Sequence, residues 1–417
     1  MQDLLGRTGT LEPEIRGEAG GRRFATSLQA LLAPQARLDR VRAAAPRLAR
    51  PAKPSGAVSG PLTSDRFQVV AEEPSTEVEG IDSEGVERWF TENVPHASPP
   101  FGYERIVGGR SNLTFRVTDK DGGTWALRRP PLSGALSSAH DMGREHRVVS
   151  ALTPTDVPVP DAVALCEDES VTGVPFYVMD FVEGPVLRDE ETACREFGED
   201  ERRKIGESVV DALVTLHSVE PDEVGLGELG RKWGYVERQL KRWHGQWEQS
   251  KTREIEAIDD VHRRLSENVP EQQRATVAHG DYRLDNLILS PAGAIAAIVD
   301  WELCTLGDPL ADVGLLHVYW SRPGDEVLPL GSAPTTAPGF PDRGELTERY
   351  AERSGLDLSK LDFYVALGYW KLAIILEGVH ARYAQGGYGE SDEELEHFPR
   401  IVEALADSAA RTSAEVG

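Results

Sequence analysis

The sequence predicts an α+β protein of two lobes: a small, sheet-rich N-lobe over residues 81–182 and a large helical C-lobe over 183–417, behind an extension (1–80) that reads as disordered. Three observations predict it. Short strand patterns cluster between residues 103 and 181. Beyond residue 200 apolar residues recur at helical spacing. Two short strands, 287–289 and 294–299, read as one hairpin that interrupts the helices.

The extension holds no Trp or Tyr, and its only aromatic residues are Phe24 and Phe67. Arg, Ala, Pro and Gly dominate residues 37–60, a composition that cannot bury a core. A short helix near 24–42, or a small docking arm, is the alternative. The globular pattern starts near Ile81. Residues 83–93 read as a helix with Val86, Trp89 and Phe90 on one face. Strands follow at 103–107, 113–118 and 124–128, then a helix at 138–152 and strands at 162–166 and 176–181. The helical candidates beyond are 201–217, 233–249, 254–268, 309–320, 345–354, 361–385 and 393–410. The longest apolar stretch, 363–379, carries Lys371 and Glu377, which reads as a buried helix rather than a membrane span.

Composition narrows the function. The formal charge of −25, from 70 acidic and 45 basic residues, argues against nucleic acid or an anionic membrane as partner. It suits a cationic substrate or a solubility or salt adaptation, and no protein partner is legible. Cys166, Cys194 and Cys304 match no metal or redox spacing and suit a reducing cytosol. No apolar leader is visible, so the expected location is cytoplasmic.

The chemistry concentrates in His279-Gly280-Asp281-Tyr282-Arg283-Leu284-Asp285-Asn286, followed by Asp300 in Ile298-Val299-Asp300-Trp301-Glu302. An aspartate, an asparagine five residues on and a second aspartate at a strand end form a phosphoryl-transfer layout. Asp281 can accept the proton of an attacking hydroxyl. Asn286 and Asp300 can hold Mg2+ on the triphosphate of ATP. The hairpin brings those two back beside each other. Arg283 can neutralise the transferring phosphoryl group or pair with Asp285. His279 is expected to orient the loop, Asp312 to brace it, and Asp308, before Pro309, to cap a helix.

The nucleotide side is read from the N-lobe. Gly108, Gly109, Arg110, Ser111 and Asn112 form a turn whose backbone amides, at Gly109, Ser111 and Asn112, can approach phosphate oxygens. Strand alternation puts Ala126 and Arg128 on one face, Ala126 against an adenine and Arg128 toward the phosphates. Arg129 is the alternative cation, facing the other way. Glu145 is the natural partner of Arg128. Residues 176–184 read as a hinge strand with Met179 behind the ring and Asp180 and Val182 at the adenine edge.

Together these residues resemble the aminoglycoside phosphotransferase and choline kinase superfamily, from about residue 102 to 385, with residues 279–286 as its catalytic loop and 298–302 as its metal-binding strand end. The resemblance implies a protein-kinase-like fold and ATP-dependent phosphorylation of a small molecule. Arginine at 128 replaces the family's usual lysine; it keeps the charge and changes the reach. Residues 127–131, 235–247 and 303–320 look more narrowly like the branch fused to acyl-CoA dehydrogenases, which implies a hydroxyacyl-CoA or hydroxylated acid as acceptor. An aminoglycoside acceptor and a nucleotide-binding pseudokinase are the alternatives. Trp243 and Trp247, one turn apart, read as core or as a wall over the acceptor, with Arg238 or Arg242 meeting an anion.

Overall fold

In the computed structural model, residues 78–106, 112–131, 141–322, 333–384 and 392–416 are described. The expectations for residues 1–77 and for Gly109 and Ser111 lie outside them. Helix α1 (Ser83–Asn93) starts where the Asp82 carboxylate accepts the Gly85 N–H at 3.1 Å. Strands β1 (Gly102–Arg105), β2 (Leu113–Thr118) and β3 (Thr124–Arg129) follow as an antiparallel meander. Helix α2 (Met142–Leu152), capped by Asp141, precedes β4 (Ala162–Cys166) and β5 (Phe176–Asp180). The five strands form one sheet in the order β1-β2-β3-β5-β4.

The two faces of this sheet bury different things, as the period of two requires. Phe115, Val117, Leu127, Phe176 and Val178 pack on one side against Val86 and Phe90 of α1. Burying each such aromatic contributes roughly 2–3 kcal/mol. On the other side Ala126, Met142, Tyr177 and Met179 cluster. Register places Ala126 opposite Met179 and Arg128 opposite Tyr177. The strand alternation therefore puts Ala126 and Arg128 together, away from the α1 core.

The second lobe runs α3 (Glu190–Glu196), α4 (Glu199–His217), α5 (Tyr235–Ser250), α6 (Glu256–Glu267), β6 (Thr276–Ala278), β7 (Leu287–Leu289), β8 (Ile295–Ile298), β9 (Thr305–Gly307), α7 (Leu310–Tyr319), α8 (Arg343–Ser354), α9 (Leu361–Ala384) and α10 (Asp392–Ser413). The expected hairpin is β7-β8, with Leu287 opposite Ile298. A second pair, β6-β9, and helix α3 are not among the sequence expectations: β6 and β9 pair far apart in the chain with no hairpin turn to signal them, and a seven-residue helix is too short to show a period. Helix α9 is apolar around most of its circumference because α5, α6, α7 and α10 enclose it. Its Glu377 is fully buried and accepts from Arg253 at 2.9 Å and from Thr252. Among the described residues, no helix is long and apolar enough to cross a membrane.

One buried group gives the fold a pH dependence. His317 of α7 is 6% exposed, near Thr347 Oγ1 at 3.2 Å, and burial, helped by the Arg343 charge, pulls its pKa down to about 4. A depressed histidine contributes stability in full above its unfolded pKa, about 6.5, and that contribution is lost as pH falls toward the folded value. Between pH 7.5 and 5 the wild type is expected to lose about 2 kcal/mol more than His317→Gln. Urea melts of both proteins at the two pH values measure the difference; parallel losses refute it.

Candidate active site

The catalytic loop begins where β6 ends. Gly280 has φ +83°, and a Cβ there would sit 2.7 Å from the Leu303 carbonyl oxygen, so glycine alone fits the turn. Asp312, on the first turn of α7, accepts the N–H of His279 at 2.7 Å and of Gly280 at 2.8 Å. Burial pushes this carboxyl up, but His217, His279 and the Gly280 N–H pull it further, to a net value below the usual range. His217 bridges Asp312, at 3.2 Å, and the Tyr350 hydroxyl, at 2.7 Å. The buried brace expected of Asp312 is thus present, and His217 extends it to α8.

His279 holds the loop by both ring nitrogens. Its Nδ1 accepts the Asp281 N–H at 3.3 Å, which leaves the proton on Nε2 for the Val299 carbonyl at 3.1 Å. Both contacts are to backbone atoms, so the ring fixes the loop's shape. Tyr282 turns away from the site and donates to the Val209 carbonyl at 2.7 Å. A 3-10 turn, Leu284–Asn286, then aims Asn286 back at the loop. The Asn286 Nδ2 donates to the Asp281 backbone oxygen at 2.9 Å and to Asp281 Oδ2 at 3.0 Å. Asp281 is 4% exposed, with its carboxylate oriented by that amide.

Asp300 leaves β8 in the left-handed region, φ +72°. Such a backbone costs roughly 1–2 kcal/mol for a residue with a Cβ, least for Asp and Asn, and tends to persist at functional sites. The bend points the carboxylate across the interlobe cleft at Arg128, 2.6 Å away. Arg128 also holds Glu145 at 2.9 Å and Thr114 at 3.3 Å, with Glu302 at 3.9 Å. Asn112 donates to Glu145 at 2.9 Å and to Glu302 at 3.0 Å, and Tyr177 donates to Glu145 at 3.2 Å. Burial would lower the Arg128 pKa, but Asp300 and Glu145 outweigh it, so the guanidinium stays charged. Arg128 of β3 and Asn112, just before β2, therefore tie the first lobe to the segment that follows β8.

Other expected residues fall as follows. Arg129 faces away and donates to the carbonyls of Gly80 and Pro130, so Arg128 is the cation in the cleft. Arg283 pairs with Asp285 and lies over the Tyr319 ring, 4.6 Å from its centroid. Ala126 and Met179 face each other on the cluster side of the sheet, both buried. Asp180 is exposed, its N–H bound to the Asp161 carbonyl at 2.9 Å, and Val182 is half-buried just beyond. Asp308 accepts the Leu310 N–H at 3.0 Å at the start of α7 and the Tyr364 hydroxyl at 2.7 Å.

Of the two arginines expected near an anion, Arg238 donates to the carbonyls of Trp233 and Arg231, where it closes the turn before α5. Trp243 and Trp247 are core, and Trp243 also carries Arg242, 5.0 Å above its ring. The missed residue is Lys371 of α9. Its Nζ is 3.4 Å from the Gly280 carbonyl and 5.6 Å from the centre of the Trp243 ring. Burial pulls its pKa down, Asp281 opposes that, and Arg242 adds to it. A lysine in the most apolar stretch of a chain with only 8 lysines was the available signal.

Asn286 and Asp300 offer an amide carbonyl and a carboxylate, the hard oxygen donors that magnesium takes. Asp300 already faces a cation across the cleft, so these residues fit a magnesium ion bound with a phosphate chain.

The pattern of the phosphotransferase enzyme family (APH) matches residues 102–362. A crystal structure from Ralstonia eutropha, assigned to the aminoglycoside phosphotransferases, is 31% identical, with a TM-score of 0.70 over 81% of this chain and 99% of that one. The GDP complex of aminoglycoside 2'-phosphotransferase-IIIa, 14% identical over 78% of this chain and 98% of that one with a TM-score of 0.53, shares the fold. Acyl-CoA dehydrogenase family member 10 of Mus musculus is 33% identical over 75% of this chain, and family member 11 of Rattus norvegicus is 34% identical over 73%. The chain spans 29% and 39% of the length of those two relatives.

Proposed function

The chain belongs to the phosphotransferase enzyme family, and on that premise we propose that it is an ATP- and magnesium-dependent small-molecule O-kinase. The observation that carries the reading is the assembly of Asp281, Asn286 and Asp300 around one cleft, with Arg128 opposite. In this mechanism Asp281 takes the proton of the acceptor hydroxyl as its oxygen bonds to the γ-phosphorus. The bond to the β-γ bridging oxygen breaks, and ADP leaves with that electron pair. Asn286 keeps the Asp281 carboxylate turned to the hydroxyl. Arg128, held by Glu145, and Arg283 counter the phosphate charge. Asn286 and Asp300 would hold magnesium, which when bound supplies further charge neutralisation. Ala126, Met179, Asp180 and Val182 would frame the adenine, with Gly109, Ser111 and Asn112 over the phosphates.

The acceptor we propose is a hydroxyacyl-CoA or a hydroxylated acid. Two cations, Arg242 and Lys371, stand beside the catalytic loop, and they would repel a polycationic aminoglycoside. The names of the acyl-CoA dehydrogenase relatives support the same class. A pseudokinase is disfavoured because Asp281, placed to take a proton from an acceptor hydroxyl, has no use in simple nucleotide binding. Parallel turnover with ATP and magnesium on kanamycin-type aminoglycosides and on short hydroxyacyl-CoA thioesters tests the choice. Phosphorylation of the thioesters is expected; transfer to the aminoglycosides alone would overturn it.

A further inference from the structure

Helices α5 and α9 leave a groove between them of about 180 Å3, lined by Ile374, Ile375 and Gly378 beside the polar Gln246, Ser250 and Arg382, with Trp243 at one end. Trp243 is common to this groove and to the cations beside the catalytic loop. Arg242 lies 5.0 Å and Lys371 5.6 Å from the centre of its ring. Lys371 and the groove residues Ile374, Ile375 and Gly378 follow helical spacing along one stripe of α9. The catalytic loop, a pair of positive charges on an indole and a groove whose α9 wall carries Ile374, Ile375 and Gly378 therefore adjoin one another in that order.

We infer that Lys371 and Arg242, laid on Trp243, form a subsite for an anionic group of the acceptor, with the acceptor's apolar chain in the α5–α9 groove. The inference rests on the proposed phosphotransfer reading for the role of Asp281. The Lys371 amine sits at the carbonyl of the residue just before Asp281, so a bound anion lies only a few bonds from a hydroxyl offered to that carboxylate. Charge-assisted hydrogen bonds at a half-buried site discriminate an anion from its neutral counterpart. A cavity of roughly 150 Å3 holds a benzene ring, so the groove admits about six carbons. The anion is the carboxylate of a free hydroxy acid or a phosphate of a CoA thioester, and the two sources are separable.

Calorimetric titration of the full chain reads binding without turnover. The probes are 4-hydroxyhexanoate against 4-hydroxyhexanamide, and 4-hydroxyhexanoyl-CoA against the corresponding pantetheine thioester. In at least one pair the charged member is expected to bind about 10- to 100-fold more tightly, the value of a charge-assisted hydrogen bond. That preference should fall below about threefold in Lys371→Met and Arg242→Gln and persist in Lys371→Arg. Gly378→Leu, which fills the groove, should weaken the hexanoyl probes more than 4-hydroxybutyrate. Equal binding within both pairs, or a preference that survives in Lys371→Met and Arg242→Gln, overturns the subsite. A purely structural lysine would weaken charged and neutral probes alike, which also overturns it. Because no catalysis is read, a failed subsite leaves phosphotransfer standing, and absent phosphotransfer leaves the binding preference measured.

Discussion

Asp281→Asn is expected to lower kcat between about 100- and 10,000-fold, the range of a lost general base, with ATP affinity little changed. The substitution keeps the shape of the side chain and its contact to Asn286, which lies 3.0 Å away. His279, Gly280 and Asp312 hold the loop through its backbone and through side chains other than Asp281, so the fold of the loop survives. What disappears is the one acid that the loop's geometry turns toward the cleft. Steady-state kinetics with saturating ATP, beside nucleotide titration of the same variant, separates these effects. Turnover near that of the wild type removes Asp281 from the mechanism.

Asp300→Asn is expected to abolish magnesium-supported turnover and yet to fold as well as the wild type. Asparagine tolerates φ +72° about as well as aspartate, so no new strain enters. The charge opposite Arg128 is lost, leaving that guanidinium to Glu145. Asp300→Ala should lose turnover and also some stability, because alanine bears the left-handed backbone less well. Asp300→Gly should recover the stability without the activity. Activity at millimolar magnesium, compared with thermal melts of the three variants, tests this pattern. Persistent turnover in Asp300→Asn would mean that the metal is held elsewhere.

Much of the site was legible because catalytic spacing is local. The five-residue step from Asp281 to Asn286 spans one turn, and the hairpin that returns Asp300 is a short-range element with its own strand pattern. The pairing of Arg128 with Glu145 was legible from the order of strand and helix. The partners of Arg238 were not legible, because they depend on the turn before α5, where the backbone carbonyls of Arg231 and Trp233 take the guanidinium. Periodicity does not report such capture.

Lys371 shows the other limit. It is 90 residues from Asp281 in the chain, on a helix whose composition says only that it is buried. Only the packing of α9 beside α5 and the loop brings its amine to the Gly280 carbonyl. The sequence by itself determined the sheet-rich and helical lobes and the loop and hairpin that carry Asp281, Asn286 and Asp300, because each is written in local spacing and strand or helix period. Tertiary structure alone decided that Arg128 and Asn112 bridge the cleft to Asp300 and Glu302. Those choices are made by side chains distant in sequence meeting across packed helices and strands, where burial makes an unmatched charge costly and so selects its partner.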